Sequence, residues 1–201
     1  MINADLHHHT CYSPDATNQP KQIIEKLNKH PTIKTIAITD HNTTKGYKAL
    51  QQLARPYPDI LIIPGAEITT PQGEIIILGT TELPPKPWTP QTIIDYAKQN
   101  NAITIAPHPY RGLGLADLTQ TLDITAIETL NAITEPELNR KAEETAKTRG
   151  LPQTAGTDSH HPTEPWNVYT QIQANLNLDN ILKAIKNGKT KTQTTKKSIR
   201  F

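Results

Sequence analysis

Three consecutive histidines stand near the start of the chain, in the stretch ADLHHHTCYSPDA at positions 4 to 16. An affinity tag would run longer and would not continue into this mixed polar pattern. Side chains alternate between the two faces of a strand, so His7 and His9 point the same way and His8 points the opposite way. Two imidazoles at this spacing suit one zinc, manganese or iron ion. We therefore expect a metal site here, with His8 at the surface or in a supporting role.

Five further stretches carry polar residues of similar types. They are TDHN at 39–42, PGAEIT at 64–69, APHPYR at 106–111, IETLN at 127–131 and AGTDSHH at 155–161. They supply imidazole and carboxylate groups without a thiolate, and such donors suit borderline and hard cations.

The elements that must position these groups follow from the apolar pattern. Strands are predicted at 2–6, 35–39, 60–63, 74–78, 102–106, 125–129, 153–155 and 168–173. Helical periodicity appears in PKQIIEKLNKH, TTKGYKALQQLAR, TPQTIIDYAKQN, EPELNRKAEETAKTRG and LDNILKAIKNG. The alternation predicts a single α/β domain with a mainly parallel sheet. Each polar stretch falls at the C-terminal end of a predicted strand, and in a parallel barrel those ends meet at one rim.

Composition sets limits on the partners. The formal net charge of +2 gives no strong case for nucleic acid or membrane, and no apolar run is long enough to span a bilayer. The start of the chain lacks a signal-peptide pattern, and the one cysteine, Cys11, permits no internal disulfide. We expect a cytoplasmic protein, with a domain at 1–195 and a basic tail at 196–201.

The stretches DLHHHTCYSPDA, ITDHN, PGAEIT, APHP and GTDSHH resemble, in this order, the successive motifs of the PHP (polymerase and histidinol phosphatase) family. The resemblance runs from Ala4 to His161. It implies a distorted (β/α)7 TIM-like barrel that holds two or three divalent metal ions. Known members hydrolyse phosphate esters such as histidinol phosphate, small nucleotides or nucleic-acid ends. The resemblance thus implies a metal-dependent phosphoesterase whose substrate is a small phosphomonoester or a nucleotide.

The family pattern also assigns metal ligands. Those of the first metal would be His7, His9, Glu67 and Asp158. Glu67 would bridge to a second metal that also takes His108. Those of a third metal would be Asp15, His41 and His160. The ions would be zinc, manganese or iron.

We expect the cluster to clamp the attacking and leaving oxygens of a phosphate ester and to activate a water. Glu67 is the catalytic bridge, because a carboxylate has two oxygens. Arg111 is expected to bind the substrate phosphate with its guanidinium, the alternative being a surface arginine in a loop. His160 is expected to be the general acid if it is not fully committed to metal.

Two departures from the family pattern concern the ligand set. Pro14 intervenes between the serine and the acid in SPDA, which still leaves Asp15 able to reach the rim. Many relatives have a histidine in the strand GEIIILG as a further ligand of the second metal. Here Ile76 occupies one such position, so either Glu74 substitutes or the second site is weaker.

Other polar residues have simpler interpretations. Asp40 is expected to orient a ligand histidine, and Glu128 and Asn131 to make hydrogen bonds inside the barrel. His30 is expected at a helix end and His161 in solvent.

Two alternative functions stay open. One is a nuclease that trims nucleic-acid ends, steered by the basic residues Lys183, Lys186, Lys189, Lys191, Lys196, Lys197 and Arg200. The chain lacks the interleaved aromatic residues of a single-strand platform, which places this second. The other is a non-catalytic barrel that binds RNA or protein, but such barrels lose their metal ligands.

Overall fold

Nine strands and five helices follow one another in residues 1–195, the part of the chain that the computed structural model describes. The strands are β1 (Ile2–Asp5), β2 (Thr35–Ile38), β3 (Leu61–Thr70), β4 (Gly73–Leu78), β5 (Ile103–Ala106), β6 (Ala126–Asn131), β7 (Gln153–Gly156), β8 (Val168–Ile172) and β9 (Thr190–Thr194). The helices are α1 (Pro20–Lys29), α2 (Lys45–Ala54), α3 (Pro90–Gln99), α4 (Pro136–Arg149) and α5 (Leu178–Lys186). Each predicted strand and helix is present. The basic tail predicted at 196–201 lies outside the described residues.

Strand β3 is longer than the predicted 60–63. Pro64 and Gly65 suggested a strand end, but Pro64 is where β3 changes its pairing partner. Ile38 of β2 pairs with Pro64, and from Gly65 onward β3 pairs with β4. Glu67 therefore lies inside a strand and not in a loop after one.

The sheet has the order β7-β6-β5-β4-β3-β2-β1-β8-β9. The pairs β1–β2, β2–β3, β5–β6 and β6–β7 are parallel. The pairs β3–β4, β4–β5, β1–β8 and β8–β9 are antiparallel, so the prediction of a mainly parallel sheet is wrong. Strand β4 runs antiparallel because a short turn and not a helix follows β3. As a result the start of β4 lies at the same rim as the ends of its antiparallel neighbours β3 and β5.

Backbone contacts between the ends of β1 and β7 bring the sheet round on itself. The N–H of Asp158 donates to the carbonyl oxygen of His7 at 2.8 Å, and the N–H of His9 donates to that of Ser159 at 3.1 Å. The sheet is thereby a nearly closed barrel in a single α/β domain, which confirms the predicted TIM-like fold.

Helix α5 closes the N-terminal end of the barrel. Its apolar residues Ile181, Leu182 and Ile185 join the buried cluster that includes Ile103 and Ile172. Burying each such side chain contributes roughly 1.5–3 kcal/mol, so this packing fixes the floor of the barrel. The polar side chains lie at the opposite rim.

The described residues include no helix that has both the length and the apolar character needed to cross a membrane.

Candidate metal centre

The predicted ligands meet at one rim of the barrel, although they come from widely separated parts of the sequence. His7 and His9 follow β1, Glu67 lies in β3, His108 follows β5 and Asp158 follows β7. His108 and Asp158 have left-handed backbone, with φ of 25° and 52°. Such conformations are unfavourable for residues other than glycine and concentrate at functional sites. The turns after β5 and β7 thus hold two candidate ligands in costly positions.

Four donor atoms form a compact group that we call the first position. Nε2 of His7 and Nε2 of His9 are 3.1 Å apart. Each of them lies 3.2 Å from Glu67 Oε2 and 3.2 Å from Asp158 Oδ1. Metal–ligand bonds of about 2.0–2.1 Å put the donors of a tetrahedral site about 3.3–3.4 Å apart. The spacing therefore fits one small divalent cation bound by two imidazoles and two carboxylates.

Hydrogen bonds on the far side of each ring fix its orientation. Nδ1 of His7 lies 3.1 Å from Glu128 Oε1, and a carboxylate can only accept, so Nδ1 carries the proton. Nδ1 of His9 donates to Ser13 Oγ at 3.1 Å, and this hydroxyl donates to Asp40 Oδ1 at 3.2 Å. In the neutral form, both rings then turn an Nε2 lone pair towards the first position.

The charges of the four groups are balanced within the first position. Burial alone lowers the pKa of His9, but hydrogen bonds to Asp158 and Glu67 outweigh it and raise that pKa to about 9. Burial likewise opposes the charge on His7, whose pKa is nevertheless held well above its usual value by Asp158 and Glu67. Against the effect of burial, the histidines hold the pKa of Glu67 and of Asp158 well below the usual range. Protons on the imidazoles therefore compensate the carboxylates when no cation does.

A second group of donors, which we call the second position, surrounds the other side of Glu67. Glu67 Oε1 lies 3.0 Å from His108 Nε2, so the two oxygens of this carboxylate face different groups. Glu74 Oε1 lies 3.7 Å from His41 Nδ1, and Glu74 Oε2 lies 3.8 Å from His108 Nε2. Burial and the charge of Glu67 raise the pKa of Glu74 to about 7.

The residues predicted for a third metal also lie together, at the outer edge of the rim. Asp15 Oδ2 is 3.4 Å from His41 Nε2 and 3.7 Å from His160 Nε2. Nδ1 of His160 donates to the carbonyl oxygen of Asp158 at 2.8 Å, which turns Nε2 outward. Burial lowers the pKa of both histidines, so they favour the neutral form that binds metal.

Arg111 reaches the same rim but is already engaged. It donates to Asp158 Oδ2 at 2.5 Å through Nη2. Through Nη1 it donates at 3.1 Å to Asn131 Oδ1 and to Thr134 Oγ1. Its side chain is 26% exposed, so part of it remains accessible to solvent.

Supporting roles were expected for four further polar residues, and the structure shows the surroundings of each. His8 points away from the cluster as predicted, but it is fully buried and packs edge-on against Trp166. Asp40 does not contact a ligand histidine directly, since Ser13 stands between it and His9. Glu128 and Asn131 do form a hydrogen bond inside the barrel, at 3.0 Å.

Two glycines that support the site were missed by the sequence analysis. A Cβ on Gly156 would come within 2.2 Å of His7 Cβ and 2.6 Å of Glu128 Oε1. A Cβ on Gly46 would come within 2.0 Å of Asp40 Oδ2. In the sequence, these residues appear only as a glycine beside a polar motif and a glycine at a helix start. Ordinary turns carry glycines in the same places, so the sequence alone does not distinguish them.

Sequence comparison finds a relative among archaeal proteins. The uncharacterized protein MJ1587 of Methanocaldococcus jannaschii is 36% identical over 143 residues, which are 65% of this chain and 82% of that protein. A family model described as PHP-associated matches residues 136–190.

Structural comparison finds the same barrel in larger proteins. One is a two-domain protein from Bacteroides vulgatus ATCC 8482 that contains a predicted PHP-like metal-dependent phosphoesterase, with a TM-score of 0.78 at 18% identity over 95% of this chain. Another is endonuclease Q in complex with a 27-mer duplex that has an abasic lesion at the active site, with a TM-score of 0.68 at 15% identity over 94% of this chain. This chain spans 64% and 58% of their respective lengths.

The barrel and its rim of histidines and carboxylates define an α/β-barrel protein with a candidate site for divalent metal ions. The chain belongs to the PHP family, as the sequence motifs indicated.

Proposed function

We propose that this protein hydrolyses a phosphate ester, a small phosphomonoester or a nucleotide, with two or three divalent cations such as zinc, manganese or iron. The observation that supports this most is the convergence of His7, His9, Glu67 and Asp158 at 3.1–3.2 Å between donor atoms. Bound divalent cations supply Lewis-acid stabilisation of phosphate oxygens and make water acidic enough to act as a nucleophile near neutral pH. The residues of this chain hold, orient and complement them.

Each residue has a role that its contacts support. Glu67 connects the first and second positions because its two oxygens face different groups. Arg111 neutralises Asp158 and, being partly exposed, offers positive charge to a phosphate. His160 lies at the outer edge, where its Nε2 can donate a proton to a leaving oxygen when the ring is protonated and not bound to metal.

A nuclease remains the second candidate, favoured by the shared fold with endonuclease Q. The lysines that could steer a polyanion give it less support. Lys183 and Lys186 lie on α5, which closes the end of the barrel away from the metal centre. Lys196, Lys197 and Arg200 lie outside the described residues. A non-catalytic barrel is disfavoured because buried carboxylates and imidazoles are costly to keep together without a ligand.

The proposal is tested with a panel of substrates on protein reconstituted with zinc, manganese or iron. The panel contains p-nitrophenyl phosphate, nucleoside monophosphates, bis-esters and short oligonucleotides. We expect His9→Ala to lose at least about 100-fold in activity on whichever substrate responds, since a ligand of the first position is removed.

The matched control is His161→Ala, because His161 is exposed and its ring forms a hydrogen bond with Thr17 Oγ1, away from the donor groups of the metal centre. This variant should keep the parent's activity. If His9→Ala is as active as the parent, the proposed role of the first position is wrong. The cytoplasmic location stays a prediction.

A further inference from the structure

We propose that Glu74 makes the second position an oxygen-rich cation site, which takes a harder cation than the first position does. The proposal rests on the proposed function in so far as both use the same cluster. It goes further, because it assigns a ligand and a metal preference that are specific to this chain.

The strand register places Glu74 near Glu67, on the same face of the sheet. Glu74 stands opposite Thr69 in the β3–β4 pair, and Glu67 lies two residues before Thr69 on the same face of β3. Thr69 Oγ1 donates to Glu74 Oε1 at 3.3 Å, which fixes the carboxylate. Glu74 is 5% exposed, so its charge is held inside the rim and not in solvent.

The imidazole of His41 provides an independent observation that points to a cation at this position. Within residues 1–195, Nδ1 of His41 is buried and has no hydrogen-bond partner. It lies 3.5 Å from Glu67 Oε2 and 3.7 Å from Glu74 Oε1. Donor atoms of these three residues lie within 4.8 Å of one another, as a shared cation requires. A buried nitrogen facing two carboxylates without a hydrogen bond is accounted for by a cation between them.

Strand β4 carries no other side chain that could bind a metal beside Glu67. Ile76 stands directly opposite Glu67 and is fully buried in the apolar interior of the barrel. The strand therefore contributes a carboxylate to the second position and no imidazole.

The two positions differ in the cation that they suit. The first position has two nitrogen and two oxygen donors at 3.1–3.2 Å, a tight set that fits zinc. The second position has two carboxylates. Its Glu67 Oε1 is 3.0 Å from His108 Nε2, while the other distances to the imidazoles of His41 and His108 are wider, at 3.5–3.8 Å. Carboxylate ligands favour harder cations that keep more ligands, such as Mn²⁺. We expect zinc or iron in the first position and manganese in the second.

The test measures cation binding and not activity. Metal-free protein receives one equivalent of Zn²⁺, and the uptake of Mn²⁺ is then followed by the electron paramagnetic resonance signal of the free ion. Glu74→Gln, nearly isosteric, should weaken the uptake of one Mn²⁺ equivalent at least about tenfold. Glu74→His should weaken Mn²⁺ uptake while strengthening the binding of a second Zn²⁺.

Glu25→Gln is the matched control, because Glu25 is exposed on α1 and the substitution changes the net charge equally. Thermal unfolding checks that each variant is folded. The inference is wrong if Glu74→Gln takes up Mn²⁺ like the parent, or if Glu74→His leaves the ratio of Zn²⁺ to Mn²⁺ affinity unchanged.

The outcomes separate this inference from the proposed function. A parent protein that binds both cations but hydrolyses no ester contradicts the function alone. A parent that hydrolyses an ester, with Glu74 variants that bind Mn²⁺ equally well, contradicts the inference alone. A parent that binds neither cation contradicts both.

Discussion

The alternation of side chains along a strand decides which residues of the HHH run can bind metal. It was enough to predict that His7 and His9 share a face and that His8 does not. The partners that orient these rings could not be predicted in the same way. Glu128 and His7 are 121 residues apart, and only the closed barrel brings them within 3.1 Å. Sequence periodicity reports local faces, whereas hydrogen bonds between distant strands depend on the complete fold.

Glu128 gives a prediction for a residue that binds no metal itself. Its carboxylate accepts hydrogen bonds from His7 Nδ1, from the His108 N–H at 2.8 Å and from Asn131 Nδ2 at 3.0 Å. In Glu128→Gln, the side-chain NH₂ group would face at least one of these N–H donors, which needs an acceptor. We expect Zn²⁺ affinity, measured by competition with a chromophoric chelator, to fall about 10- to 100-fold.

The control for Glu128 is Glu137→Gln on α4, where an exposed ion pair with Arg140 at 3.6 Å contributes little. Its Zn²⁺ affinity should equal that of the parent. Equal affinity in Glu128→Gln would show that the orientation of His7 does not depend on this carboxylate.

At the scale of secondary structure, the sequence predicted the existence of the elements better than their ends and directions. Helices that begin with Pro20, Pro90 and Pro136 were predictable because proline is favoured in the first turn. The extension of β3 was not, since Pro64 and Gly65 resemble a strand end until β4 is known to pair beyond them. The antiparallel direction of β4 was not predictable for the same reason. It places Glu74, at the start of β4, at the rim where a parallel strand would place a residue from its C-terminal end.

The closure of β7 against β1 leads to a second prediction. Gly156 ends β7 where there is no room for a Cβ beside His7 and Glu128. Gly156→Ala should therefore push the strands apart, lower Zn²⁺ affinity at least about tenfold and lower the free energy of unfolding by about 1–3 kcal/mol. Isothermal titration and urea denaturation measure the two effects.

Gly150→Ala separates this clash from ordinary glycine strain. Gly150 has φ of 63°, and a Cβ there would meet no atom within 4 Å, so alanine should cost about 1 kcal/mol of stability and no Zn²⁺ affinity. If Gly156→Ala binds Zn²⁺ like Gly150→Ala, the approach of β7 does not position the ligands.

At the scale of the whole molecule, the metal centre couples stability to pH. The pKa of His9 rises from its ordinary 6.5 to about 9 in the metal-free fold, because Asp158 and Glu67 outweigh burial. A raised pKa in the folded state gives stability that is complete below about pH 6.5 and is lost as pH rises through about 9. The shift of His7 has the same direction. The free energy of unfolding of the metal-free protein should therefore fall between about pH 7 and pH 9, as measured by urea denaturation.

A bound cation removes this dependence on pH. Zn²⁺ must displace protons from His7 and His9, so its affinity should increase up to about pH 9 and its binding should release protons. The increase in Zn²⁺ affinity then offsets the stability that the metal-free protein loses, so the free energy of unfolding at saturating Zn²⁺ should stay nearly constant between about pH 7 and pH 9. Titration in buffers of different ionisation enthalpy measures the protons released. Stability that is independent of pH in the metal-free protein, together with Zn²⁺ binding that releases no protons, would mean that the imidazoles are not charged in the empty site.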